Sequence, residues 1–311
     1  MSPRHLLLAL GLAVAWGVNF VVIEVGLDHF PPLLFSALRF LVAAVPAILL
    51  LRHPGVPWRW VGLVALTLGI VKFGLLFTGM AAGMPPGLSS LVLQTQAVFT
   101  AVFAVVLLGE RLTARQVAGL AVAIAGIGLI AVDLGATSPV GAFVLVIGAA
   151  AMWGVSNVAV RRASPPDMLR FMVWVSALAT LPLFALSAIV EGPRRDWDAL
   201  RTAPWSAAGA VVYVGLVATV AGFGIWGYLI RTYSASAVAP FSLLVPVFGM
   251  GTSALLLGEE ISPLKLLAGG LIIAGVLAGV VRRPTAAPAP SAPRAVPPAS
   301  GPAHPVSRGS R

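Results

Sequence analysis

The sequence predicts an all-α membrane protein: ten transmembrane helices arranged as two inverted five-helix repeats, with both termini on the cytoplasmic side. Three observations lead there. The 311 residues are 59% hydrophobic and only 10% charged, with a mean hydropathy of +0.99. A soluble domain is about a quarter charged, so this chain could not cover its own surface in water. Apolar stretches of the length that crosses about 30 Å of hydrocarbon recur along it. Short motifs of the first half then return, in the same order, in the second.

Taken in order, the apolar stretches are 6–27, 32–51, 60–80, 86–108 and 116–132, then 140–160, 169–190, 207–230, 237–257 and 265–281. The first has the look of a signal peptide, with Arg4 ahead of Leu6–Ala15 and an A-x-A site at Ala13-Val14-Ala15. The apolar run continues unbroken to Val25, so it reads as a span. Ten spans put both termini on one side. With the termini inside, 14 of the 20 basic residues are cytoplasmic, among them Arg52, Arg59, Arg111, Arg115, Arg161 and Arg162. Arg194, Arg195, Arg201 and Lys265 are outside, and Arg39 and Lys72 lie within spans. This is the positive-inside bias. It accounts for the net charge of +10 as topology and removes nucleic acid as a partner. Residues 284–311 are Pro, Ala, Ser and Arg, a composition that buries nothing and predicts a disordered cytoplasmic tail.

The repeat sets the domain boundaries at 1–135 and 136–283. Trp16-Gly17-Val18-Asn19 returns as Trp153-Gly154-Val155-Ser156-Asn157. Leu107-Leu108-Gly109-Glu110 returns as Leu256-Leu257-Gly258-Glu259, and Ala125-Gly126 as Ala274-Gly275. An odd number of spans per copy turns the second copy over in the membrane. Two inverted halves can exchange conformations, so a site between them opens to one side and then the other. The expected activity is therefore carriage of a small solute across the bilayer. Pro246, near the middle of the ninth span, is the expected hinge.

Polar residues inside spans mark cavities or partners. Counting about 1.5 Å per residue from helix ends puts Asn19, Arg39, Lys72 and Gln94, from four different spans, at one depth in the outer half. Gln96 lies slightly deeper and Glu24 nearer the outer end. Arg39 has the fork to hold a carboxylate, and Asn19, Gln94 and Gln96 offer donors and acceptors. The alternatives for Arg39 are snorkelling outward or a structural pair with Glu24; Lys72 could equally reach the outer interface. Gln94 and Gln96 point about 200° apart on a regular helix, so one should bridge to a neighbouring span. Trp153, Asn157 and Trp226 are placed toward the cytoplasmic side as an inner wall, and the repeat suggests a lining role for Trp16 and Trp153. Trp58, Trp60, Trp197 and Trp205, near loops, read as interfacial anchors.

Enzymatic chemistry finds little to stand on. The chain has no cysteine, which excludes thiolate sites. His5, His29, His53 and His304 lie in or beside loops and tails, and no HExxH motif occurs. No metal or other cofactor is expected. Protons are a candidate coupling ion, with Glu24 the single acid within the spans.

The segments Trp16-Gly17-Val18-Asn19-Phe20, Pro31-Pro32, Leu38-Arg39-Phe40 and the Gly-Glu pairs after spans 4 and 9 resemble the EamA-type members of the drug/metabolite transporter superfamily. The resemblance covers residues 5 to 282. Within that family, the stretches from Gly83 to Gln94, Gly224 to Gly227 and Ser242 to Val247 are similar to the branch that exports O-acetylserine and cysteine. The resemblance implies ten spans, cytoplasmic termini, a multi-pass place in the bacterial inner membrane and export of small amino-acid-type metabolites. Other members export other amino acids, purines or drugs, so an amphipathic drug remains the alternative cargo. The chain departs from the family at Gln96-Ala97, where many members carry a proline, and the resemblance assigns no role to Glu24 or Lys72.

Overall fold

A computed structural model describes residues 1–48, 53–134, 140–233 and 235–280, and every regular element among them is helical. The predicted tail at 284–311 lies outside the described residues. In chain order the helices are α1 (Pro3–Leu27), α2 (Pro32–Ile48), α3 (Trp58–Ala81), α4 (Pro86–Leu108), α5 (Ala114–Leu134) and α6 (Val140–Ala163). They continue with α7 (Met168–Val190), α8 (Pro193–Thr202), α9 (Trp205–Tyr233), α10 (Ala237–Leu257) and α11 (Pro263–Val280). Among the described residues, 8 of these are long and apolar enough to cross a membrane, while α2 and α11 contain shorter apolar helices. α8 is a short polar helix where the sequence suggested only a loop.

Four of the long helices are not regular. α3 widens into a π-helical run at Ala65–Lys72 and α9 into another at Tyr213–Ala221. α4 tightens into a 3₁₀ turn at Leu93–Thr95, and α10 breaks at Leu243-Leu244. Pro246 sits in the first turn after that break, and Pro240 in the last turn before it. Both lack the N–H that a continuous helix would need there.

Packing follows one scheme with the halves exchanged. α1 lies on α10, and α6 lies on α4. A Cβ on Gly17 would fall 2.5 Å from the Phe248 Cβ, and one on Gly154 would fall 2.7 Å from the Phe99 Cβ. The Trp-Gly motif of each first helix thus presses its bare backbone against the other half. α5 and α11 meet in the same reciprocal way: Gly126 abuts the Ala268 carbonyl and Ile272, and Gly275 abuts the Gly119 carbonyl and Ala123. α4 and α10 both end on a left-handed glycine, Gly109 and Gly258, each at φ +68°. That conformation is open to glycine at little cost.

Two helix starts are closed by distant acids. α2 and α4 each begin behind a proline, Pro31 and Pro85, so neither has a capping side chain of its own. Glu191, just past α7, accepts from Leu33 N–H at 2.8 Å and Leu34 N–H at 3.1 Å. Glu259, in the turn after α10, accepts from Gly87 N–H at 2.8 Å. Carboxylates at these positive helix ends are favourably placed.

Candidate functional site

The two π-helical runs organise the middle of the bundle. A π-helix opens the i→i−4 ladder and offers backbone groups to neighbours. In α9, the Thr219 hydroxyl donates to the Val214 carbonyl five residues back at 2.8 Å, and its oxygen lies 3.4 Å from Arg39 Nη1 as acceptor. The Ala218 carbonyl takes the Trp16 indole N–H at 2.9 Å. Gly215 lets α2 approach: a Cβ there would lie 2.8 Å from the Arg39 carbonyl. In α3, Lys72 is the last residue of the π-helical run and Phe73 the first of the regular helix that follows.

Arg39 and Lys72 are brought together on Phe73. The Arg39 guanidinium carbon is 3.5 Å from the Phe73 ring centroid, 3.9 Å from that of Phe40 and 5.5 Å from that of Phe77. Lys72 Nζ is 3.4 Å from the Phe73 centroid and 4.7 Å from that of Trp153. Both residues are buried, at 2% and 3% exposure. The Arg39 Nε and Nη2 have no hydrogen-bond partner. Arg39 therefore neither snorkels nor pairs with Glu24, and Lys72 does not reach the outer interface. Trp153 packs on Lys72 because α3 and α6 lie side by side.

The remaining candidates fall into separate groups. Trp16 and Trp226 form one aromatic wall with Phe223, at 5.5 Å and 5.9 Å from the Trp16 ring. Asn19 on α1 has a buried Oδ1 without a partner. Gln94 donates from Nε2 to the Ser242 carbonyl at 3.1 Å, beside the break in α10. Gln96 Oε1 accepts from Asn157 Nδ2 at 2.6 Å, and Asn157 also reaches Thr100 at 3.1 Å. The two glutamines thus point to different helices, as their spacing required, and Gln96 and Asn157 are spent on one another. Glu24 Oε2 is buried and unpartnered, with Asp28 and Glu259 as its charged neighbours.

Sequence reasoning missed Phe40, Phe73, Phe77 and Thr219. Apolar rings in an apolar chain carry no signal of their own. The signal available was adjacency: Arg39-Phe40 and Lys72-Phe73 each place a phenylalanine directly after a basic residue deep within a span. At the end of the bundle predicted to face outward, Asp28, His29, Arg195 and Asp198 line a polar depression of about 460 Å³ between α1 and α8.

Comparison with known proteins agrees with this architecture. The EamA-like transporter family matches twice, over residues 4–132 and 140–280. A "Probable amino-acid metabolite efflux pump" of Salmonella typhimurium is 40% identical over 287 residues, covering 90% of this chain and 96% of the relative. The protein of the same description in Escherichia coli K12 is 38% identical, with 90% and 96% covered. A "Probable terminal-alkyne amino-acid exporter" of Streptantibioticus cattleyicolor is 33% identical, with 85% and 89% covered. A solved crystal structure shares the fold at a TM-score of 0.59 and 23% identity, covering 89% of this chain and 96% of its own. Apolar helices of membrane-crossing length and this full-length similarity to bacterial inner-membrane transporters describe a multi-pass protein of the bacterial inner membrane. With both halves matched and relatives alike along nearly their whole length, the chain belongs to the EamA-like transporter family.

Proposed function

We propose that this protein exports small amino-acid-type metabolites from the cytoplasm by alternating access, with O-acetylserine and cysteine as the first candidates. The descriptions of the relatives support the cargo class. The exchanged-half packing of Gly17 on Phe248 and Gly154 on Phe99 supports two inverted repeats, 1–135 and 136–283, and the run lengths and the basic-residue bias support ten crossings with both termini inside. The observation that carries the reading is Arg39: a guanidinium sealed in the bundle with two of its nitrogens unbonded. A buried donor left unpaired is costly, and a substrate carboxylate is the group that satisfies it bidentately. Asn19, with its free Oδ1, is the nearest match for a substrate ammonium, while Trp16, Trp153 and Trp226 shape the apolar walls. Gln94, Gln96 and Asn157 hold α4 to α10 and α6 around the site. The break before Pro246 is the hinge on which α10 bends.

The test is export from cells. Overexpression should raise O-acetylserine and cysteine in the medium, and Arg39→Gln should abolish the rise at unchanged membrane abundance. Normal export by Arg39→Gln would sink the carboxylate role. Loss of export on removing Trp16 or Trp153, with Arg39→Gln unaffected, would favour an amphipathic drug as cargo.

A further inference from the structure

Arg39 alone would satisfy one carboxylate; Lys72 is left over. It lies in the same aromatic cluster, is equally buried, and makes no hydrogen bond or ion pair among the described residues. The ion pairs found there, Arg161 with Glu110 and Arg170 with Asp167, are at exposed or half-exposed positions elsewhere. Arg39 shares the Phe73 ring with Lys72, and like charges repel. Glu24 is no counter-ion for either, since its buried Oε2 has no hydrogen-bond partner and it makes no ion pair among the described residues. Two cations are thus held on one ring with no anion between them.

Desolvating each of these ions is expensive. The faces of Phe40, Phe73, Phe77 and Trp153 return part of that cost through their quadrupoles, but a ring face is a weaker partner than an oxyanion. Occupied by a zwitterion, the site would keep one cation unmatched and would bring an ammonium close to both. Occupied by a solute with two carboxylates, both cations would be matched.

We propose that the site takes small solutes bearing two separate carboxylate groups, one on Arg39 and one on Lys72, in preference to zwitterions of similar size. The inference rests on the reading of this cluster as the substrate site, and it names the charge class that site selects.

The test is thermal stabilisation of the full-length protein, purified in detergent at neutral pH and matched ionic strength. Succinate and L-aspartate should give half-maximal stabilisation at concentrations roughly tenfold or more below those for L-alanine and O-acetylserine. Lys72→Met should erase that difference, and Lys72→Arg should restore it. Equal responses to both classes in the natural protein would overturn the proposal, even if no variant could be purified. So would a preference that survives Lys72→Met, or stabilisation by inorganic phosphate without succinate, which would mean one doubly charged oxyanion instead of two carboxylates. Cell export keeps the two readings apart. Export of O-acetylserine without any preference for dicarboxylates in purified protein rejects the charge class alone. A dicarboxylate preference in a protein that exports no amino acid rejects the exporter reading and leaves the charge class standing.

Discussion

Phe73 receives one cation from α2 and another from the residue just before it. Replacing it with leucine keeps most of the apolar volume and removes the quadrupole. Phe73→Leu should lower the stability of ligand-free protein by about 1–2 kcal/mol, the worth of a desolvated cation–π contact, read as a lower melting temperature in detergent. Glu259 gives a pH-dependent counterpart outside the spans. Burial pushes its carboxyl above the usual range, against the pull of the Gly87 and Leu88 N–H groups and of Lys265. A carboxyl raised in the folded state is penalised while ionised, and the penalty is relieved as pH falls through the raised value toward that of the unfolded chain. The natural protein should therefore gain melting temperature on mild acidification relative to Glu259→Gln, whose curve should be flatter. At this scale the sequence spoke only through charge. Arg39 and Lys72 stood out because charge is rare inside apolar runs, whereas the rings that hold them are ordinary members of a chain with 14 phenylalanines. Glu191 and Glu259 are legible as acids just past the ends of apolar runs. Their capping of α2 and α4 was not, because the helix starts they close lie far away in sequence.

Helices were legible as elements because the apolar runs matched the membrane in length, but their interruptions were not. The π-helical runs in α3 and α9 leave no local composition mark; in α9, Thr219 and Trp16 draw on the Val214 and Ala218 carbonyls. The break in α10 was half legible, through Pro246. The small residues of the repeat were visible too, and their purpose is now specific. Gly17→Leu and Gly154→Leu should each destabilise by about 1–3 kcal/mol, as overpacking does, and by similar amounts, since each presses on the equivalent Phe of the other half. A large difference between the two melting curves would argue against equivalent roles. Glu191→Gln should weaken the cap on α2 by about 1 kcal/mol, measurable in the same assay.

The whole molecule was the most legible scale. An all-helical membrane bundle followed from run lengths and apolar composition, and the family from the short segments that resemble it, because each of these is written along the chain. Depth was less so. Counting residues from helix ends carries no information on which helices lie side by side, as α3 and α6 do, or on where α3 unwinds.

An uncompensated positive site also responds to voltage. On the proposed reading, the loaded site crosses the bilayer as a neutral whole, and the empty site returns carrying the charges of Arg39 and Lys72. An interior-negative potential draws that return inward with about 2.3 kcal/mol per charge per 100 mV. Export would then need no coupling proton, and the acid-free surroundings of Phe73 would be the reason. In proteoliposomes with inward-facing and outward-facing populations resolved, a potassium diffusion potential should accelerate efflux of succinate. Lys72→Met should leave the net charge per turnover at that of the solute but shift part of the voltage dependence from the empty return to the loaded step. The carrier would be reset electrically, by the same field that its membrane already maintains.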